Sequence, residues 1–188
     1  ITPVEETMQA LIDIVKQGKA LYVGISKYPP AQAKQAYEIL KSAGVPCLIS
    51  QYCYNMFNRT VEDETLALAA SYGSGFISFS PLAQGLLTDK YLKGIPEHSR
   101  AARSTGFLQL DQVTDEKVNK ASRLNEMAFR RGQTLAEMAL AWILRDERMT
   151  SVIVGASSVE QLSVNLRTLN NLDFTAEELA EIDDILRI

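Results

Sequence analysis

The chain has 188 residues, 46% of them apolar and 22% charged, long enough for one domain with a sizeable core and ordinary for a globular protein. A formal net charge of −4 argues against a general nucleic-acid binder, which needs a basic face. No apolar run approaches the roughly 20 residues of a membrane span and no secretory signal is visible, so the expected setting is cytoplasmic, with neither a nucleic-acid nor a membrane partner.

The first predicted element opens at Thr2-Pro3-Val4-Glu5, with Thr2 as N-cap, Pro3 at the first helical position and Glu5 closing a capping box. A chain that opens on a helix cap, with no initiator Met and no strand before it, looks cut from something longer. Met8, Leu11, Ile12 and Val15 are the apolar stripe of this helix, which Gly18 ends. Ala20 to Ser26 is a short apolar run suited to a buried parallel strand. After Pro29-Pro30, a second stripe of Ala36, Ile39, Leu40 and Ala43 runs to Gly44. The unit then repeats, with a strand from Cys47 to Gln51, a helix over Glu62 to Tyr72 and a third strand from Gly75 to Ser80.

From Pro81 to about Thr114 the periodicity breaks, and a stretch this long reads as a functional loop. Two helices follow, the second opened by the capping box Thr134 to Glu137 and burying Leu135, Met138, Ala139, Trp142 and Ile143. Ser151 to Val154 is the fourth strand. Ser158 to Gln161 cap a helix whose inward stripe is Val159, Leu162, Leu166 and Leu169. Thr175 to Glu178 cap the last one, with Leu179, Ile182 and Leu186 inward.

Four strands alternating with helices imply a parallel sheet with right-handed crossovers. No GxGxxG follows any strand, so the fingerprint of an open dinucleotide-binding sheet is absent. A closed (β/α)₈ barrel takes about 250 residues and eight such units. On pattern alone the chain is either half a barrel or a small open sheet.

Cys47 and Cys53 form no CxxC pair, and with the single His98 they cannot build a zinc site. They read as packing residues in a reducing cytosol.

In barrels, ligands lie at the carboxyl ends of the strands, and phosphates favour the loops after the last two. The four strand ends here are Ser26-Lys27, Gln51, Phe79-Ser80 and Gly155-Ala156-Ser157. Ser and Gln offer donors and acceptors suited to a carboxamide, and Phe79 offers a flat face. The run into Ser158 leads to a helix N-terminus, which attracts phosphate. Each also has a plainer reading. The serines serve as turn or cap residues, Gln51 satisfies a backbone group, Phe79 is core, and Lys90 and Arg100 are solvated loop charges. What raises the set above its members is position, with polar groups at all four strand ends and a long loop after the third.

At these residues the sequence resembles the aldo-keto reductase family, most closely its bacterial glyceraldehyde-3-phosphate reductase branch near the potassium-channel β subunits. The motifs are GKALYVGIS at Gly18–Ser26, QYCYN at Gln51–Asn55, FSPLAQGLLTDKY at Phe79–Tyr91, GIPEHSR at Gly94–Arg100 and VIVGASSVEQLSVN at Val152–Asn165. The resemblance implies the C-terminal half of a (β/α)₈ barrel, its last four β/α units, with residues 1–188 forming a single partial domain. It further implies an NADPH site in which Ser26 and Gln51 hold the nicotinamide carboxamide and Phe79 stacks on the ring. Ser80, Leu82, Gln84, Lys90 and Arg100 would wrap the pyrophosphate, and Gly155, Ser157, Gln161 and Asn165 would receive the adenosine end and its 2′-phosphate. Val164 stands where relatives usually place an acid that reads the adenine amine, which weakens or alters adenine recognition.

The family's catalytic Asp, Tyr, Lys and His belong to the first four strands, and none of the seven tyrosines here stands in that context. No catalytic residue is therefore assigned, and the chain alone is expected to be inactive. The whole protein is expected to reduce a small carbonyl substrate. The alternatives are a non-catalytic cofactor-sensing module resembling channel β subunits, or an inactive fragment. Half a barrel exposes strand edges and apolar interior, so pairing with the missing N-terminal half or self-association is expected.

Overall fold

Val23, Ile25, Ser50, Tyr52, Phe76 and Ser78 are buried along one face of a parallel sheet, and the residues alternating with them lie on a half-open face. This is the period of two expected of strands whose two sides meet different surroundings. The computed structural model describes residues 2–97, 99, 101–102 and 108–187. Its elements are α1 (Val4–Lys16), β1 (Val23–Ser26), α2 (Pro30–Ser42), β2 (Cys47–Cys53), α3 (Thr65–Ser71), β3 (Gly75–Phe79), α4 (Asp115–Arg130), α5 (Leu135–Leu144), β4 (Met149–Val152), α6 (Val159–Arg167) and α7 (Ala176–Arg187). The strands lie in the order β1-β2-β3-β4. This is the α/β arrangement of part of a (β/α)₈ barrel.

The residues fall into two compact units. The first comprises Ile1–Cys53, Arg59–Phe79 and Glu147–Ser151, and holds the sheet. Its closed face is covered by helices through a buried hydroxyl chain. Tyr37 Oη lies 2.7 Å from Ser50 Oγ, which lies 3.0 Å from Ser74 Oγ. The Tyr37 ring stacks on Tyr72 at 5.0 Å, and Tyr52 stacks on Phe76 at 5.1 Å. Register shifts between Val23 and Gly24, where Leu48 forms a bulge, so that Gly24 pairs with Ile49 and Ser26 with Gln51. Gly24 is required there, since a Cβ would stand 2.6 Å from the Ile49 carbonyl oxygen.

The second unit comprises Tyr54–Asn58, Ser80–Asp146 and Val152–Ile188. The core of this unit is the apolar face of α5, on which Leu135, Met138, Ala139, Trp142 and Ile143 are all buried as expected, with Tyr54 against Trp142 at 5.4 Å. The Thr134–Glu137 capping box forms in full. Arg131 fastens α4 to α7 through Glu178 and lies over the Phe174 ring at 3.8 Å. The box at Thr175 and Glu178 also forms.

Several expectations are corrected. The cap of α1 is Pro3, not Thr2, and no side chain caps this helix; Glu5 accepts from Gln35 of α2 instead of closing a box. Proline at N-cap leaves its carbonyl to accept from Thr7 N, so the first turn closes without Thr2. β1 begins at Val23, leaving Leu21 and Tyr22 exposed, and α3 begins only at Thr65. β4 lies two residues earlier than expected, because Thr150, not a residue of the Ile153-Val154 run, accepts from Phe76 N on β3. The α6 stripe of Val159, Leu162, Leu166 and Leu169 is exposed, not inward. An apolar stripe is buried only where a partner face exists, and the described residues supply none. The long loop is not structureless. It holds three 3₁₀ turns and its own cluster of Leu86, Tyr91, Ala101 and Leu108, with Phe57, Ala83 and Val113 packed against them.

Candidate functional site

In the first unit, the half-open sheet face carries Gly24 and Ser26 from β1, Ile49, Gln51 and Cys53 from β2, and Gly75, Ile77 and Phe79 from β3. Parallel pairing sets these in rows, with Ser26 beside Gln51 beside Ile77, and Cys53 beside Phe79 at the carboxyl ends. The Leu48 bulge sets Ser26 beside Gln51, and alternation along each strand then keeps Ile49, Gln51 and Cys53 on the face that bears Ile77 and Phe79. The Ser26 hydroxyl donates to the Gln51 carbonyl at 3.0 Å, and the Lys27 amide donates to the same carbonyl at 3.1 Å. Lys27 itself is in the left-handed region, with φ of 61°. One oxygen thus pins the corner where β1 ends.

That corner is held a second time. Tyr52, on the closed face of β2, donates its hydroxyl to the Tyr28 carbonyl at 2.8 Å. Burial pushes the Tyr52 phenol above its ordinary value, and burial does the same to Tyr37 despite its bond to Ser50. Both therefore stay protonated. Around the corner lies a cleft of roughly 380 Å³ lined by Thr2, Pro3, Val4, Ser26, Lys27, Tyr28, Pro29 and Gln32.

In the second unit, the loop that opens at Ser80 carries the backbone strain. Ser80, Ala83 and Gln84 have φ of 52°, 47° and 61°, and Gly85 follows at 101°. Non-glycine residues rarely occupy this region, and such strain persists where the surroundings over-determine it. Asn55, buried, donates its side-chain amide to the Ser80 carbonyl at 2.9 Å and accepts from Phe57 N at 2.9 Å. The Gln84 amide donates to Ser80 Oγ at 3.0 Å. The left-handed residues close a tight turn in which the Ala83 amide donates to the Ser80 carbonyl at 2.9 Å and the Gly85 amide to the Leu82 carbonyl at 2.8 Å. Lys90 is exposed farther along, and its amide is held by Thr88 Oγ1 at 3.2 Å. Arg100 and His98 lie outside the described residues.

At the start of α6, Ser158 caps the helix by accepting from Gln161 N at 3.2 Å. The Ser157 amide and hydroxyl donate to Gln161 Oε1 at 2.9 and 3.0 Å. Asn165 is one turn on from Gln161, on the same side of the helix. Open space surrounds Gly155, where a Cβ would meet nothing within 4 Å. The structure thus brings together Ser26 and Gln51, Ser80 and Gln84, and Ser157 and Gln161. Sequence reasoning missed Asn55 and Tyr52 as positioning groups. Asn55 and Tyr52 stand inside the QYCYN block, where an Asn closing an apolar run is the one local signal of a side chain needed to satisfy backbone.

Among the described residues no cluster of three or more His, Cys, Asp or Glu is arranged to hold a metal, and no helix is long and apolar enough to cross a membrane.

The sequence model of the Aldo/keto reductase family matches residues 1–187. Two proteins named L-glyceraldehyde 3-phosphate reductase, from Escherichia coli O157:H7 and Escherichia coli strain K12, are 51% and 49% identical to this chain over 186 residues. Each alignment covers 97% of this chain and 54% of the relative, so the chain spans about half the length of these relatives.

Proposed function

Because the chain belongs to the aldo/keto reductase family, we propose that the full-length protein carrying it reduces aldehydes or ketones to alcohols with NADPH, and that residues 1–188 supply the cofactor-holding half. One observation carries the reading: Ser26 and Gln51 are register partners at the carboxyl ends of adjacent strands, on the half-open face that also bears Phe79. The donor set fits the cofactor. A hydroxyl and a primary amide side by side match the two ends of a carboxamide, and Phe79 offers a ring face.

The pyrophosphate and adenosine contacts belong to the second unit. There Lys90 and the capped start of α6 offer positive charge and N–H groups to phosphate, and the Ser80 and Gln84 side chains meet at the strained turn. When bound, the cofactor supplies a hydride from C4 of its nicotinamide to the carbonyl carbon, and the carbonyl oxygen takes up a proton. No described residue of this chain is assigned to give that proton. Tyr37, Tyr52, Tyr54 and Tyr91 are buried, and burial holds the Tyr37 and Tyr52 phenols above their ordinary value. On this reading the acid is supplied by the rest of the full-length protein. The name of the two relatives suggests a phosphorylated three-carbon aldehyde as substrate.

The test is an NADPH fluorescence titration of the full-length gene product, with Ser26→Ala and Gln51→Leu beside the parent. Saturable binding that weakens by about 1 kcal/mol for each lost hydrogen bond is expected. No binding, or two variants that bind like the parent, overturns the reading.

A further inference from the structure

The turn that follows β2 and the loop that opens at Ser80 belong to the same unit, and Asn55 joins them across 25 positions of sequence. Asn55 is 3% exposed and lies between Tyr54 and Met56, both buried, with the Tyr54 ring against Trp142 of α5. Its main chain closes on Asn58: the Asn55 amide donates to the Asn58 carbonyl at 3.1 Å, and the Asn58 amide to the Asn55 carbonyl at 2.9 Å. Its side-chain oxygen accepts from Phe57 N at 2.9 Å. The Phe57 side chain packs against the loop cluster of Leu86, Tyr91, Ala101 and Leu108. From this fixed turn Asn55 Nδ2 reaches the first residue of the loop, donating to the Ser80 carbonyl at 2.9 Å.

The Ser80 carbonyl accepts a second bond, from Ala83 N at 2.9 Å, so both of its lone pairs are engaged. Ser80, Ala83 and Gln84 are all left-handed, a conformation that is costly for a residue with a Cβ, so the turn needs a hold from outside itself. Asn55 supplies that hold. The turn so held brings Gln84 Nε2 to Ser80 Oγ at 3.0 Å. A hydroxyl that accepts in this way has its own hydrogen left to donate, which suits a phosphate oxygen. The geometry points to Asn55 as a positioning residue for the cofactor: by holding the Ser80 carbonyl it fixes the turn whose Ser80 and Gln84 side chains meet the pyrophosphate. The inference rests on the reading given above, in which those two side chains touch the pyrophosphate. Asn55 is itself buried and acts only through Ser80. The adenosine contacts at Gly155, Ser157, Gln161 and Asn165 do not depend on it.

The experiment measures binding of NADPH and of adenosine 2′-monophosphate to the full-length gene product and to its Asn55→Asp and Asn55→Ser variants. Both variants keep an oxygen that can accept from Phe57 N, as Asp and Ser do in turns of this kind, and both lose the donation to Ser80. NADPH affinity falls about tenfold in each, the scale of a hydrogen bond lost from an acceptor that stays in place. Adenosine 2′-monophosphate, which has no pyrophosphate, binds the variants as it binds the parent. An equal loss on both ligands overturns the proposal, because it marks a general disturbance of the fold. A loss in Asn55→Asp alone overturns it too, since the added charge and not the missing bond would then repel the cofactor. Hydrogen exchange of peptides covering Ser80–Leu87 reads the hold directly. It quickens in both variants, and exchange like the parent's overturns the proposal whatever the affinities. A parent that binds no NADPH sinks the cofactor reading and the role of Asn55 with it, whereas a parent and variants that bind NADPH equally well sink the role of Asn55 alone.

Discussion

The Tyr52 hydroxyl donates to the Tyr28 main-chain carbonyl at 2.8 Å, tying the loop after β1 to the closed face of β2. Tyr52→Phe keeps the stack on Phe76 and removes only this bond. It is expected to cost about 0.5–1.5 kcal/mol in a denaturant melt. The phenol is raised above its ordinary 10.0 by burial, so its contribution is full below pH 10 and is lost as pH climbs beyond it. The stability difference between parent and Tyr52→Phe should accordingly shrink at alkaline pH. A gap that widens there would show that the bond is not what Tyr52 contributes.

Acid should expose a different group. Glu137 is 6% exposed, yet its carboxylate accepts from Thr134 N at 2.6 Å and from Arg167 Nε at 2.8 Å. Burial pushes this carboxyl up, but the Thr134 amide and hydroxyl and the Arg167 guanidinium outweigh it and hold it below its ordinary 4.5. Its stabilisation is present above that value and disappears as pH falls through the lower folded one. Glu137→Gln is predicted to cost about 1–3 kcal/mol near neutral pH, the range for hydrogen bonds to a charged group. Urea melts at several pH values check this, with the cost diminishing below pH 4.5.

Gly24 allows β1 to approach Ile49 closely, and Gly24→Ala would place a methyl 2.6 Å from a backbone oxygen that cannot swing aside. A loss of about 1–3 kcal/mol follows from overpacking of this kind. Gly18→Ala is a useful contrast: nothing lies within 4 Å of its added Cβ, and only the φ of 69° is strained. Thermal melts of both separate crowding from conformation.

Arg100→Ala and Lys90→Ala in the full-length gene product test the phosphate contacts. Each is expected to weaken NADPH binding by about 1–3 kcal/mol, with a steeper loss at low ionic strength. Affinity unchanged by both would make them solvated loop charges.

Residues 1–188 alone should show no NADPH-dependent reduction of small aldehydes, since a carbonyl that accepts hydride needs a positioned acid. The exposed stripe of Val159, Leu162, Leu166 and Leu169 should drive association of the isolated chain. Sedimentation of the parent and of Leu162→Lys/Leu166→Lys reads the association, and turnover above background in the parent would place the acid in this half.

Much of the fold is legible in the residues alone. The capping boxes at Thr134 and Thr175, the Ser158 cap, the buried face of α5 and the strand–helix alternation depend on residues within about four positions of each other. Ser26, Gln51 and Phe79 could be placed at strand ends for the same reason. Tertiary structure alone decided the Leu48 bulge, which sets Ser26 beside Gln51, and the earlier start of β4, which follows from Thr150 meeting Phe76. It also decided that the α6 stripe stays exposed, because periodicity says which residues share a face but not whether another face covers it. Asn55 signals only that some backbone group is bonded, not that it is the Ser80 carbonyl. The left-handed run at Ser80, Ala83 and Gln84 has no local signature. Nor has the cleft at Lys27, whose walls come from chain segments more than 20 residues apart and meet only when α1, β1 and α2 are packed.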